Sequence, residues 1–305
     1  MGSETRGAIE TPGGLDGSAV LIERIAVVVT TYNRPDALAL VLDGYAAQTD
    51  RGFELIVADD GSTADTRQVV DAFAAGAPFP VRHVWHPDDG FRAATIRNRA
   101  ITATTAAYIV FTDGDCVPAT DFVARHRALA EPGWFLAGNR ALLSEPFTRA
   151  VIAARTPIHQ WSGLQWLSAW LARSINRLAP LTRLPDGAWR HRQPARWEGV
   201  KTCNLSVFRT DLLRVNGLDE QYAGWGMEDS DLVIRLLHAG VRHKTARFAC
   251  AAFHLWHREN DRSRLAENQA RLADLLASDR VRAEVGVDRY LSAPADTAPA
   301  AGAPS

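Results

Sequence analysis

The stretch from Tyr108 to Cys116 reads YIVFTDGDC. A short apolar run stops at two carboxylates, Asp113 and Asp115, with one glycine between them. A run of this length and composition reads as a buried strand. Two anions at its end repel each other unless positive charge sits between them. A divalent cation is the simplest remedy. Hard ions such as Mg²⁺ or Mn²⁺ prefer carboxylate oxygen and are often shared with a phosphate ligand. The plainer alternative is a polar turn after a core strand.

Three further groups could do chemistry. Asp59 and Asp60 close another apolar run and precede Gly61-Ser62. A carboxylate there could accept from the imide N–H of a uracil or thymine ring, or simply serve an Asp-Gly turn. Thr31, Tyr32 and Asn33 would lie beside it, with Tyr32 able to stack on a flat base. Arg92 and Arg97 follow Asp88-Asp89-Gly90, and Arg97 shares a helical stripe with Ala93, Ile96 and Ala100. An inward-facing cation needs an anion, either a nucleotide diphosphate or a carboxylate such as Asp113. Residues 224–231 read GWGMEDSD. Two glycines round Trp225 make a bendable loop, and Glu228 and Asp229 open a helix. Helix capping accounts for one acid, but three acids invite a second role, such as accepting a proton from an incoming hydroxyl. Finally, His254 and His257 fall three apart in FHLWH, where both could approach one ion.

The elements that must position these groups alternate. Strands are expected at 25–30, 53–58, 81–85 and 108–112, with helices from Pro35, over 64–73 and over 92–102. Alternation of this kind implies a parallel sheet with helices on its faces. Ligands then bind at the carboxyl ends of the strands. Those ends carry TYN (31–33), DDGS (59–62) and DGD (113–115), so three polar clusters should converge on one edge. Later elements are expected as a strand or loop at 202–208, a helix at 229–238, a strand at 249–255 and a helix at 264–276.

Between the halves, residues 149–197 hold eight arginines against one acid, Asp186, and five of the nine tryptophans. Helix is expected over 158–178. Packing as a lid or acceptor wall is one expectation, and peripheral contact with an anionic membrane surface is the other. The expected boundaries are a disordered tail at 1–20, an alternating strand–helix half at 21–145, the Arg/Trp-rich insert at 146–198, a second, compact half at 199–280 and an Ala/Pro-rich tail at 281–305. With 305 residues, 47% hydrophobic, and a formal charge of −1, the chain can build one large core. It shows no global signature of nucleic-acid binding. Three scattered cysteines and the lack of a signal-peptide core make a reducing, cytoplasmic setting the expectation.

Taken together, these motifs resemble a family 2, inverting GT-A glycosyltransferase over about residues 24–268. VVVTTYNRP, LIVADDGS, GFRAATIRNRAI and YIVFTDGDCVP are similar to the nucleotide-sugar-binding part. The text from KTCNLSVF through GWGMEDSD, together with FHLWHREN, is similar to the catalytic region of β-1,4-galactosyltransferases and bacterial chondroitin polymerases. The resemblance implies a GT-A fold: Rossmann-like α/β, with a mostly parallel central sheet flanked by helices, in a single domain with the helical insert. It implies a nucleotide-sugar donor (UDP first, with dTDP and GDP open), a glycan or lipid-linked sugar acceptor, and Mn²⁺ or Mg²⁺. Thr30, Tyr32 and Asp60 then match positions that hold the nucleoside, within the nucleotide-binding stretch that includes Thr31, Asn33 and Arg34. Arg92 or Arg97 would support the nucleotide or its diphosphate. Asp113 and Asp115 form a DXD motif, with Asp115 the direct metal ligand and His254 or His257 completing the site. Asp229 matches the catalytic base, Glu228 its acceptor-binding neighbour and Trp225 part of the acceptor platform. One departure is Ser230, which stands where the galactosyltransferase pattern continues its acid run. A sugar nucleotidyltransferase is a rival, but it would open with a glycine-rich, arginine-bearing loop where this chain has TTYNRP. A catalytically inert glycan binder on the same fold is the other rival.

Overall fold

The computed structural model describes residues 22–258 and 261–291. The expected tail at 1–20, and residues 292–305 of the expected tail at 281–305, lie outside the described residues. In chain order the elements are β1 (Ile25–Thr31), α1 (Pro35–Ala46), β2 (Phe53–Asp59), α2 (Ala64–Ala74), β3 (Val81–Trp85), α3 (Ala93–Thr102) and β4 (Tyr108–Asp113). Then come β5 (Cys116–Pro118), α4 (Phe122–Leu129), β6 (Trp134–Ala137), β7 (Asn139–Leu142), α5 (Glu145–Ala153) and α6 (Gly163–Leu171). The chain continues with β8 (Asn204–Phe208), α7 (Arg209–Arg214), α8 (Glu228–His238), β9 (Arg242–Thr245), β10 (Ala251–His254), α9 (Leu265–Leu276) and α10 (Asp288–Leu291).

A seven-stranded sheet in the order β3-β2-β1-β4-β8-β6-β9 forms the centre. Its strands run parallel except β8, which is antiparallel to both neighbours. The β-branched run of β1 suits a strand covered on both faces. Ile25, Val27 and Val29 face one core layer with Leu38 and Val41 of α1, while Ala26 and Val28 face the other with Ile96 and Ala100 of α3. The period of two thus splits one strand between two cores. A second sheet, β5-β10-β7, pairs His254 with Cys116 in register.

The insert departs from the expected helix over 158–178. A 3₁₀ turn covers Ile158–Gln160, and α6 starts at a capping box in which Ser162 and Gln165 satisfy each other's backbone. The chain leaves α6 through Arg173, whose positive φ of 57° ends the helix, and Ile175 bridges to Leu143. Trp166 is buried and stacks on Phe253 at 4.2 Å, so the insert packs against the small sheet. Several of its arginines are paired, Arg155 with Asp43 and Arg183 with Asp121. The opposite face of α6 leaves Leu164 79% exposed and Leu171 69% exposed. The start of the expected C-terminal tail is also corrected. Residues 281–291 pack through Ala283 and Val287, because Ala283 N–H and Val287 N–H donate to the carbonyls of Val215 and Asn216. Among the described residues no helix is long and apolar enough to cross a membrane.

Candidate active site

The end of β1 organises the first half of the site. In the sheet register Thr31 lies beside Asp59 and Thr30 beside Asp113. Beyond the ladder, Asp60 N–H donates to the Thr31 carbonyl at 2.9 Å, and Gly114 N–H to the Thr30 carbonyl at 2.7 Å. Gly114 passes so close that a Cβ would stand 2.8 Å from Thr31 Oγ1. The glycine between the two aspartates is therefore a steric requirement, which lets both carboxylates turn outward at one edge.

Asp60 is held from two sides. Its Oδ1 lies 2.7 Å from His86 Nε2, and its Oδ2 accepts the Arg92 backbone N–H at 2.8 Å. Asp59 is braced by His83 and by the Ser62 N–H. Tyr32 is exposed and donates its hydroxyl to Asp88.

The second acidic cluster reaches the same cavity. The loop before α8 uses positive φ at Gly224 (75°), Gly226 (107°) and Met227 (75°). Met227 has a side chain in a region that favours glycine, which is backbone strain placed directly before Glu228. A cavity of about 450 Å³ is lined by Thr30, Thr31, Tyr32, Arg34, Asp60, Arg97, Asp113, Asp115, Trp225, Glu228, Asp229, His254 and His257. Asn33 and Arg92 do not line it. Asn33 instead accepts the Thr63 N–H, and the Arg92 guanidinium pairs with Asp89. What Arg92 brings to the site is its backbone N–H on Asp60. Asp231, the third acid of the cluster, turns into the core and pairs with Arg235.

Arg97 joins the two clusters. Its side chain is buried, 3.2 Å from Asp113 Oδ1, 3.4 Å from Glu228 Oε1 and 3.9 Å from Asp229 Oδ1. It also donates to Thr30 Oγ1 at 3.0 Å. Of the anions open to it on sequence grounds, carboxylates take it. Burial works against its charge, but Asp113, Asp229 and Glu228 overcome this and hold its pKa above the ordinary arginine value. Burial, with Asp229 adding like charge, pushes the Glu228 carboxyl up to about 7. Burial also pushes Asp113 up to about 6, reinforced by Asp115 and Asp229 and opposed by Arg97. Arg140 also opposes the shift at Asp113, and Lys201 the shift at Glu228, so Arg97 is not the sole counter-charge of the cluster. Asp229 is oriented by the Thr202 hydroxyl, which donates to its Oδ1 at 2.6 Å, while Lys201 Nζ stands 3.9 Å from its Oδ2.

Asp115 stands between the two histidines. Its Oδ1 is 3.6 Å from His254 Nε2, and its Oδ2 is 3.4 Å from His257 Nε2. The small sheet produces this arrangement: Leu255 N–H donates to the Asp115 carbonyl. Donor atoms of Asp115, Cys116 and His254 all lie within 4.8 Å of one another. Burial pushes His254 down to about 4, so its imidazole is neutral and free to ligate at physiological pH. Carboxylate oxygens with neutral imidazole form a donor set that fits a divalent ion such as Mn²⁺.

Several lining residues were not singled out from sequence: Arg140, Lys201, Thr202, Cys203 and Arg258. His86, behind Asp60, was missed as well. A signal existed for two of them. His86 directly follows a strand whose carboxyl end faces the site, and Lys201-Thr202 precede a strand that begins at that edge. Arg140 carried no such mark, because β7 was not anticipated.

An α/β sheet with a nucleotide-type strand edge, crossed by an acidic cleft, defines the class of GT-A transferase folds, and solved structures agree. TarS 1–349 of S. aureus in complex with UDP superimposes with a TM-score of 0.56 at 14% identity, covering 87% of this chain and 68% of that one. The mannosyltransferase PcManGT from Pyrobaculum calidifontis, in complex with GDP-Man and Mn²⁺, gives 0.55 at 19% identity, covering 88% and 66%. Residues 26–148 match glycosyl transferase family 2, and residues 188–258 match the N-terminal domain of galactosyltransferase. The first of these matches falls on the residues whose motifs resemble that family, so the N-terminal half is similar to glycosyl transferase family 2. Validoxylamine A glucosyltransferase of Streptomyces hygroscopicus subsp. jinggangensis is 28% identical over 239 residues, 74% of this chain and 54% of its own length. Chondroitin synthase of Escherichia coli is 24% identical over 255 residues, 76% of this chain and 35% of its own. The chain thus spans about half, or less, of the length of these curated relatives.

Proposed function

We propose that the cleft transfers a sugar from a nucleoside diphosphate sugar, UDP-sugar first, to a hydroxyl of a glycan or lipid-linked acceptor, with inversion. The observation that carries this reading is the meeting of Asp113 and Asp115 with Glu228 and Asp229 in one cavity, bridged by Arg97. Asp60, fixed by His86, offers an acceptor to the base, and Tyr32 offers a flat ring. Asp115, with His254 and His257 and with Asp113 beside it, would hold the divalent ion. Such an ion supplies positive charge against the departing diphosphate. Trp225 and Glu228 form the acceptor side. Asp229, held by Thr202, takes the proton as the acceptor oxygen attacks the anomeric carbon. The bond from that carbon to the diphosphate oxygen breaks, and its electron pair leaves with the nucleotide. General-base help of this kind is worth roughly 10²–10⁴-fold.

Two further expectations are kept as proposals: a cytoplasmic setting, and a peripheral membrane contact, for which we propose the exposed apolar face of α6 next to Arg173 and Arg177. A panel of UDP-, dTDP- and GDP-sugars with Mn²⁺ tests the function. Release of nucleoside diphosphate is the expected result. Pyrophosphate exchange would point to a nucleotidyltransferase instead, and no turnover or binding with any donor would leave an inert binder.

A further inference from the structure

A second cavity, of about 260 Å³, lies beside the cleft. Its wall includes Ala137 and Gly138 at the end of β6 and Thr245 at the end of β9. Both strands run parallel to β1 and β4, since β8 between β4 and β6 is antiparallel to each. The cavity therefore opens at the same carboxyl edge as the cleft. The lead-in to β8 divides the two: Val200 faces this cavity, and Lys201–Cys203 face the cleft.

Its charge is unlike that of the cleft. Arg192, Arg196 and Arg247 line it, with Glu198 as the one acid in the wall. Arg196 donates to neutral acceptors, the Gln193 side chain and the Glu198 carbonyl. Among the described residues, no hydrogen bond or ion pair engages the guanidinium of Arg192 or Arg247. Partial burial, with Arg196 and Arg177 adding like charge, pushes the Arg247 pKa down. The fourth arginine, Arg190, is structural. It is buried, donates to the carbonyls of Leu184, Thr245 and Arg247, and lies 4.2 Å from the Trp189 ring. Trp189 and Phe248 supply flat apolar wall.

We propose that this cavity is an acceptor subsite for a sugar ring bearing an oxyanion, a phosphate or a carboxylate, held by Arg192, Arg196 and Arg247 beside the Trp189–Phe248 wall. The identification of the ligand as acceptor rests on the transferase reading of the cleft. Guanidinium groups match both oxyanions with paired, charge-assisted hydrogen bonds. An aromatic wall beside them suits the apolar face of a sugar ring. Position fits as well, because an acceptor whose hydroxyl faces Asp229 need only extend past Thr202 and Lys201 to reach the arginines.

Titration calorimetry on the full chain, with UDP and Mn²⁺ saturating the cleft, tests the assignment with inorganic phosphate and glucuronate as probes. At least one probe should bind wild type, and its affinity should fall at least tenfold in Arg192→Gln/Arg247→Gln. UDP affinity should be unchanged, and Arg192→Lys/Arg247→Lys should recover most of the oxyanion binding. The preferred probe tells whether the acceptor carries phosphate or carboxylate. The subsite is overturned if neither probe binds, or if both bind the glutamine variant as tightly as wild type. Oxyanion binding that persists in a protein unable to bind any nucleotide would uphold the anion site and sink the cleft reading instead.

Discussion

The cleft and the cavity beside it use arginine in opposite ways. In the cleft, Arg97 is buried and touched by three carboxylates, so its charge is spent inside the protein. In the neighbouring cavity, Arg192 and Arg247 are exposed residues that form no ion pair with any carboxylate among the described residues. A matched cation organises a site, whereas unmatched cations await a ligand. The difference follows from position. Arg97 lies on the buried stripe of α3, between two strand-end clusters of acid, whereas the other arginines sit on an acid-poor insert and on the turn after β9.

The contrast can be broken by measurement. Arg97→Met should cost about 3–5 kcal/mol, because it leaves buried carboxylates without their counter-charge. Arg247→Gln should stay within about 0.5 kcal/mol, as expected for an exposed position. Urea denaturation of both variants checks this, and similar losses in the two would erase the distinction.

A smaller effect comes from acid. His126 is fully buried between Ser206 Oγ and Asn204 Oδ1, and burial pushes it down to about 3 from an ordinary 6.5. The unfolded chain therefore takes up this proton before the folded one does. The stability tied to it is complete above pH 6.5 and is lost as pH falls from there towards 3. Between pH 6.5 and 5 the loss should approach about 1.4 kcal/mol per pH unit from this residue. His254, pushed down to about 4, contributes with the same sign. Stability measured against pH should show a shallower slope in His126→Gln, and an unchanged slope would place His126 in a solvated setting.

The smallest expected effect concerns the insert. Full-length protein should co-float with anionic vesicles at low salt, and Leu164→Ser/Leu171→Ser should weaken this severalfold while leaving donor binding intact. Equal flotation of the variant, or none by wild type, removes α6 as the contact.

Much of the nucleotide-binding half was legible because its signals are local. β1, β2 and β4 are β-branched runs ended by polar turns, and β3 spans the expected residues. Arg97 was also legible as a cation on an apolar stripe, although its partners were not, since a stripe shows burial but not what faces it. Strands β6, β7 and β9 escaped notice. Each has four residues, and RHKT in β9 has no apolar alternation at all; it is a strand because β6 offers it a ladder. That gap hid Arg140 and the second cavity, both of which depend on those strands. Asp231 shows the converse. Its sequence neighbourhood suggested chemistry, and an intrahelical partner, Arg235, took it instead.

The most direct test of the joined acidic cleft is donor affinity, measured by calorimetry with a UDP-sugar and Mn²⁺, for wild type, Asp115→Ala and Asp229→Asn. If the ion is held at Asp115 and the proton acceptor is Asp229, binding is lost in the first variant and kept in the second, although neither turns over. Equal donor affinity in all three would contradict the placement of the ion at Asp115, and with it the division of labour across the cleft.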